Sequence, residues 1–179
     1  MRACLAAVVV WVVVGCAGPG REGESLAGLM VERLSWMDEV AQVKKAKGLP
    51  VEDAKREAEV LDAMEASGVK VGLPGGIVRG FFAGQMEAAK VCQEEWLTGH
   101  PGEWQGELPD LQKTVRPALD GIGERMIRAL RRARAEPKTD DLLELARRRL
   151  VAEGYSQRVI AEAMSGLEAG LGPIESGSD

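Results

Sequence analysis

From residue 25 onward, apolar residues recur at three- and four-residue steps. Leu26, Leu29, Met30, Leu34, Met37, Val40, Ala41 and Val43 keep this rhythm, which is the pattern of an amphipathic helix. Ser25 is suited to cap its start, and Gly48-Leu49-Pro50 ends it. A second helix is predicted from Pro50 to about Ser67, with Glu52 and Asp53 in the first turn and Gly68 as a left-handed stop. The link Val71-Gly72-Leu73-Pro74-Gly75-Gly76 leads to a third helix over about 77–97. On it Phe82, Gln85, Met86, Ala89, Gln93 and Trp96 form one stripe. A polar loop with Gly99, Pro101, Gly102, Gly106 and Pro109 follows. Three more helices are predicted near 110–135, 138–153 and 155–170, with no strand pattern and no internal repeat. The expected class is all-α: one bundle of about six helices over 25–171, with 172–179 as a disordered tail.

The first residues follow a different pattern. Arg2 is a short positive region, and 3–14 is an apolar run without a charge. It is too short for a stable membrane span and reads as a signal-peptide core. Val13-Val14-Gly15-Cys16 then places small residues before a cysteine. This resembles a bacterial lipoprotein processing site, with 1–15 removed and Cys16 lipidated. Ordinary cleavage nearby, for instance after Ala17, is the alternative without a lipid. Both predict export. Residues 16–24 read as a tether. Of three cysteines, Cys4 leaves with the leader and Cys16 goes to lipid, so Cys92 has no disulfide partner.

Composition supports helices, because good helix formers dominate and aromatics are 4% of the chain. The formal charge of −5 carries no nucleic-acid footprint. The runs Arg131-Arg132-Ala133-Arg134 and Arg147-Arg148-Arg149 fall late in their helices, beside Glu136 and Glu144, where cations complement the helix dipole. His100 lies in a Gly/Pro loop and reads as surface, and Cys92 reads as packed. Neither neighbourhood has metal-ligand spacing.

The chemistry-bearing residues fall in register. Arg33 and Lys44 are eleven positions apart, three turns plus about 20°, so they share a helix face roughly 16 Å apart along the axis. Their long side chains can lean together around a small anion. Asp53, Arg56 and Glu57 share one face of the second helix. Taken singly, each has a plainer explanation: a solvated arginine, a surface ion pair, or a glutamine satisfying a buried backbone group.

Together, over about 26–130, these residues resemble the all-helical, type II chorismate mutases, specifically the exported monofunctional class. The spacings Arg33–Lys44, Lys44–Asp53 and Asp53–Arg56–Glu57 match that pattern without a gap, and Phe82, Gln85 and Gln93 match its third helix. Residues 119–126, with Glu124-Arg125-Met126, resemble the later helix that supplies a second substrate arginine. The resemblance implies rearrangement of chorismate to prephenate, an intramolecular pericyclic step requiring no cofactor and no metal. Its demands are a folded reactive conformer and stabilised charge on the breaking ether oxygen.

Residue by residue, the resemblance implies that Arg33 and Arg125 hold the two carboxylates. Lys44 contacts a carboxylate and the ether oxygen, and Gln93 donates its amide N–H to that oxygen. Glu57 accepts from the ring hydroxyl, the backbone near Asp53 assists, and Arg56 completes the cationic wall. An amide donates at every pH, so activity should not require acid. The class also suggests a homodimer.

Two positions depart from the pattern. Lys45 stands where an aromatic is common, and Ala89 removes a hydroxyl contact to a carboxylate. Two alternative functions remain open. One is an isochorismate-pyruvate lyase on the same fold, and the other an inactive helical-bundle envelope lipoprotein.

Overall fold

The Ser25 hydroxyl accepts the Gly28 N–H at 3.1 Å and starts helix α1, Leu26–Ser35. The computed structural model describes residues 25–102, 106–136 and 138–172. The leader, Cys16, the tether and all of the tail but Gly172 lie outside these.

The first predicted helix is two helices. At Trp36 the backbone turns to φ −80°, ψ −4°, and α2, Met37–Ala46, begins. The Ser35 hydroxyl donates to the Glu32 carbonyl at 2.9 Å, a side-chain bond of the type that bends helices. Gly48, at φ +61°, ends α2 as expected.

Helix α3 is Ala54–Lys70, starting four residues later than predicted. Residues 47–53 form a loop held by hydrogen bonds: the Lys44 ammonium donates to the Val51 carbonyl, and the Leu49 N–H to the Lys44 carbonyl at 2.8 Å. Asp53 is the cap, and its carboxylate accepts the Arg56 N–H at 3.1 Å. Gly68 is not the stop. It lies inside α3, where an added Cβ would meet Val78 Cγ2 at 2.4 Å, and the left-handed turn comes at Gly72, φ +86°.

Helix α4, Gly75–Gly99, runs about 37 Å through the centre. The stretch predicted as one helix from 110 begins with a π-helical turn, Leu111–Val115, capped by Asp110, whose carboxylate accepts from the Gln112 and Lys113 N–H groups. Pro117 has no N–H to give Lys113, and the wider Arg116 N–H to Leu111 carbonyl bond precedes it. Helices α5 (Arg116–Ala135), α6 (Thr139–Ala152) and α7 (Gln157–Leu171) complete the fold. The count among the described residues is thus seven α-helices with no strand, the extra one arising at Trp36.

α7 packs along α4 most extensively, while α1 packs on α5 and α6. Gly84 and Gly166 bring α4 and α7 into backbone contact: a Cβ on Gly84 would lie 2.3 Å from Gly166 Cα. Phe81 and Phe82 meet edge to face at 5.1 Å within a core that includes Leu29, Leu34, Met126, Leu130 and Ile160. The basic run at 131–134 has a structural task in part, because Arg134 donates to the Gly170 carbonyl at 3.1 Å and to the Leu171 carbonyl, at the end of α7. No helix among the described residues is long and apolar enough to cross a membrane.

Candidate active site

α1, α2, α3, α4, the π-turn and α5 enclose a cavity of about 150 Å³. Apolar side chains, among them Met37, Val40, Val60, Met64, Phe82, Met86, Val115 and Leu119, form much of its wall. Its charged residues are Arg33, Lys44, Arg56, Lys90 and Arg116 against Asp53, Glu57 and Asp120. This leaves a formal excess of two positive charges inside a chain whose net charge is −5. None of the described lining residues is Ser, Thr, Cys or His.

Arg33 comes from the buried face of α1 and is 8% exposed, and its Nη1 has no hydrogen-bond partner. Burial pulls its guanidinium down to about 10, against the opposing pull of Asp120, so it is charged at neutral pH. A buried cation without its own carboxylate is costly, and an anionic ligand would relieve that cost. The bend at Trp36 does not separate Arg33 from Lys44, since both line the cavity. Burial lowers the Lys44 ammonium below its ordinary value, while Asp53 and Glu57 oppose the shift.

α3 brings three more residues. Its first turn points Arg56 across to Asp120 on α5, at 3.4 Å, and to Glu59 at 3.6 Å. Glu57 Oε1 accepts the Asp53 N–H at 3.1 Å, and Oε2 lies 3.3 Å from Lys90 Nζ. Asp53 and Glu57 together close the first turn of α3, Asp53 accepting the Arg56 N–H and Glu57 the Asp53 N–H.

On α4, Gln93 is 5% exposed, and its Nε2 donates to the Ala89 carbonyl at 3.0 Å and to Met37 Sδ at 3.6 Å. Its Oε1 is buried without a partner. Gln85 leaves the expected stripe. It turns to α7, where its Nε2 donates to the Ala163 carbonyl at 3.0 Å.

Arg125 is not among the cavity residues. Its guanidinium forms a fork on the Glu32 carboxylate at 2.8 and 2.9 Å. The cavity's arginine from this part of the chain is Arg116, whose Nη1 donates to Gln112 Oε1 at 2.9 Å. Lys90, Arg116 and Asp120 escaped the sequence reading. Lys90 had a usable signal: Met86, Lys90 and Gln93 are at i, i+4 and i+7. His100 is exposed and stacks on Trp96 at 4.1 Å. Cys92 is buried and its thiol pushed up to about 12 by desolvation.

With two positive charges in excess among apolar walls, the cavity can accommodate a small dianion and aim N–H donors at charge that shifts within it. Comparison with known proteins agrees in kind. Residues 24–94 match the family model for chorismate mutase type II. A secreted chorismate mutase of Yersinia pestis is 32% identical over 117 residues, covering 63% of this chain. The match spans 60% of that relative's length. The crystal structure of a chorismate mutase from Burkholderia thailandensis superposes with a TM-score of 0.70 at 26% identity, over 80% of this chain and 95% of the other. That of Burkholderia phymatum gives 0.69 at 23% identity, over 81% and 93%. The fold is that of the type II chorismate mutases, all-helical as the sequence pattern predicted.

Proposed function

We propose that this chain is an isomerase that rearranges chorismate to prephenate, working outside the cytoplasm. The observation that carries the reading is the cavity's charge: five cations against three carboxylates, two positive charges in excess for a substrate with two carboxylates. Arg33 and Arg116 each hold one carboxylate, so Arg116 takes the role first given to Arg125. Lys44 and Gln93 stabilise the ether oxygen as its bond breaks, for which Gln93 turns an N–H from Met37 Sδ toward the substrate. Glu57 accepts from the ring hydroxyl, and Arg56 closes the wall with Asp53 holding its helix start. The apolar side chains exclude water and favour the folded conformer.

The test is chorismate consumption by protein lacking residues 1–16, with the product identified. Prephenate supports the reading. Folded protein that leaves chorismate untouched would overturn it in favour of an inactive envelope bundle. Salicylate and pyruvate from isochorismate, without prephenate from chorismate, would overturn it in favour of the lyase.

Export rests on the apolar run at 3–14 and on the secreted relative. Lipid attachment at Cys16 follows from the residues before it. Mass spectrometry of the mature N-terminus should find a diacylglyceryl cysteine, and Cys16→Ser should move the protein from membrane to soluble fractions. An unmodified N-terminus would sink the anchor and leave export standing.

A further inference from the structure

Lys90 lines the cavity wall on α4, yet its ammonium faces carboxylates of the protein. It lies 3.3 Å from Glu57 Oε2 and 2.7 Å from Glu87 Oε1, one turn back. The Lys90 and Glu57 side chains are only 20% and 24% exposed, a more sheltered ion pair than Arg56–Asp120 at 33% and 56%. Both neighbours raise the ammonium above its ordinary value, Glu87 more than Glu57, so it is charged at neutral pH.

Glu57 is thereby gripped at both oxygens. Oε1 takes the Asp53 N–H at the start of α3, and Oε2 faces an ammonium from α4. A carboxylate carries about four lone-pair sites, so one direction toward the cavity stays open while the group's rotation is blocked. Glu87, at i−3, in turn holds Lys90 from the solvent side, since its own side chain is 52% exposed.

We infer that Lys90 is a positioning residue: it locks the Glu57 carboxylate in one orientation, aimed at a hydroxyl of the bound substrate. The inference rests on the chorismate reading for the identity of that hydroxyl. The lock itself rests only on the geometry of Lys90, Glu57 and Asp53.

Two measurements separate these. The first is a double-mutant cycle in turnover. Lys90→Met should lower kcat/KM on the order of ten- to a hundredfold through misplacement of Glu57, mainly in kcat, and Lys90→Arg should recover most of it. In a Glu57→Gln background, Lys90→Met should add less than a twofold loss. Full additivity would mean that Lys90 acts on the substrate directly, and the inference fails while the enzyme reading stands. The second is amide hydrogen exchange at Asp53, which needs no activity. Lys90→Met should speed exchange severalfold as Glu57 Oε1 releases the N–H, with Lys90→Arg near wild type. Unchanged protection in a folded Lys90→Met protein overturns the lock. A wild-type protein inert toward chorismate, with exchange behaving as expected, overturns the substrate assignment and leaves the lock intact.

Discussion

The two faces of α4 are built for opposite ends. Toward α7 it presents Gly80, Gly84 and Gln85, and the backbones touch at Gly84 and Gly166. Toward α2, α3 and α5 it presents Phe82, Met86, Ala89, Lys90 and Gln93, and a cavity remains. One face removes space, and the other keeps it open among like charges that repel. The open face depends on the closed one. A wall carrying several cations holds its shape only when the element behind it cannot shift.

Substitutions on either face of the molecule's central helix, or on the elements packed against it, should have distinct effects. The largest effect is expected from Arg33→Ala: kcat/KM should fall about a thousandfold, near 4 kcal/mol of transition-state stabilisation. Helicity by circular dichroism should be unchanged, because Leu29, Met30 and Leu34 carry the packing of α1. Retained turnover would remove the cavity from the chemistry.

Gly166→Ala attacks the closed face. The new Cβ would lie 2.7 Å from the Phe81 carbonyl oxygen and 2.9 Å from Gly84 Cα, at a cost of about 3 kcal/mol. The melting temperature should drop by several degrees, and turnover of the folded protein, measured well below the melt, should fall with it, because α4 shifts and carries the cavity wall on its other face. A loss of turnover with an unchanged melt would reverse the assignment of the two faces.

Arg116→Ala should cost about a hundredfold in kcat/KM, near 2.7 kcal/mol, chiefly through KM. Next comes the pH profile. Gln93→Glu should make kcat/KM rise toward low pH, about tenfold per unit, because a carboxyl must be protonated to donate. The wild type should be flat through neutrality. On the alkaline side its activity should fall below pH 10.5, the ordinary lysine value, because burial lowers Lys44 and the charge is lost as pH rises through the lowered pKa. The smallest effect belongs to Arg125→Ala, within threefold, since its fork to Glu32 is a partly exposed ion pair outside the cavity.

Much of this was legible in the sequence where local rules govern. The three- and four-residue rhythm gave the helices, spacing put Arg33 with Lys44 and Arg56 with Glu57 on shared helix faces, and the family resemblance joined them with Gln93 in one site; all five line one cavity. Local rules failed where they compete. Ser35 can bond its own helix, so an unbroken apolar stripe hid the bend at Trp36. Pro50 marks a helix start equally well in a loop, and only the Asp53 cap decides between the two. Arg116 follows a π-turn that shifts the helical phase, so counting at 100° per residue cannot reach it. Gln85 looked like a cavity residue because the stripe on α4 is wide enough to face two neighbours. Lys90 was visible in spacing alone, but its partner Glu57 lies on another helix.

Glu57 also closes the first turn of α3 by taking the Asp53 N–H. On the proposed function, the same side chain serves both foldability and turnover. A descendant of this chain that had lost its activity would still be selected to keep a glutamate here. The presence of that residue in a drifting sequence therefore says little about whether the sequence remains an enzyme, whereas Arg33, whose buried N–H has no structural partner to satisfy, would be released early and is the better witness.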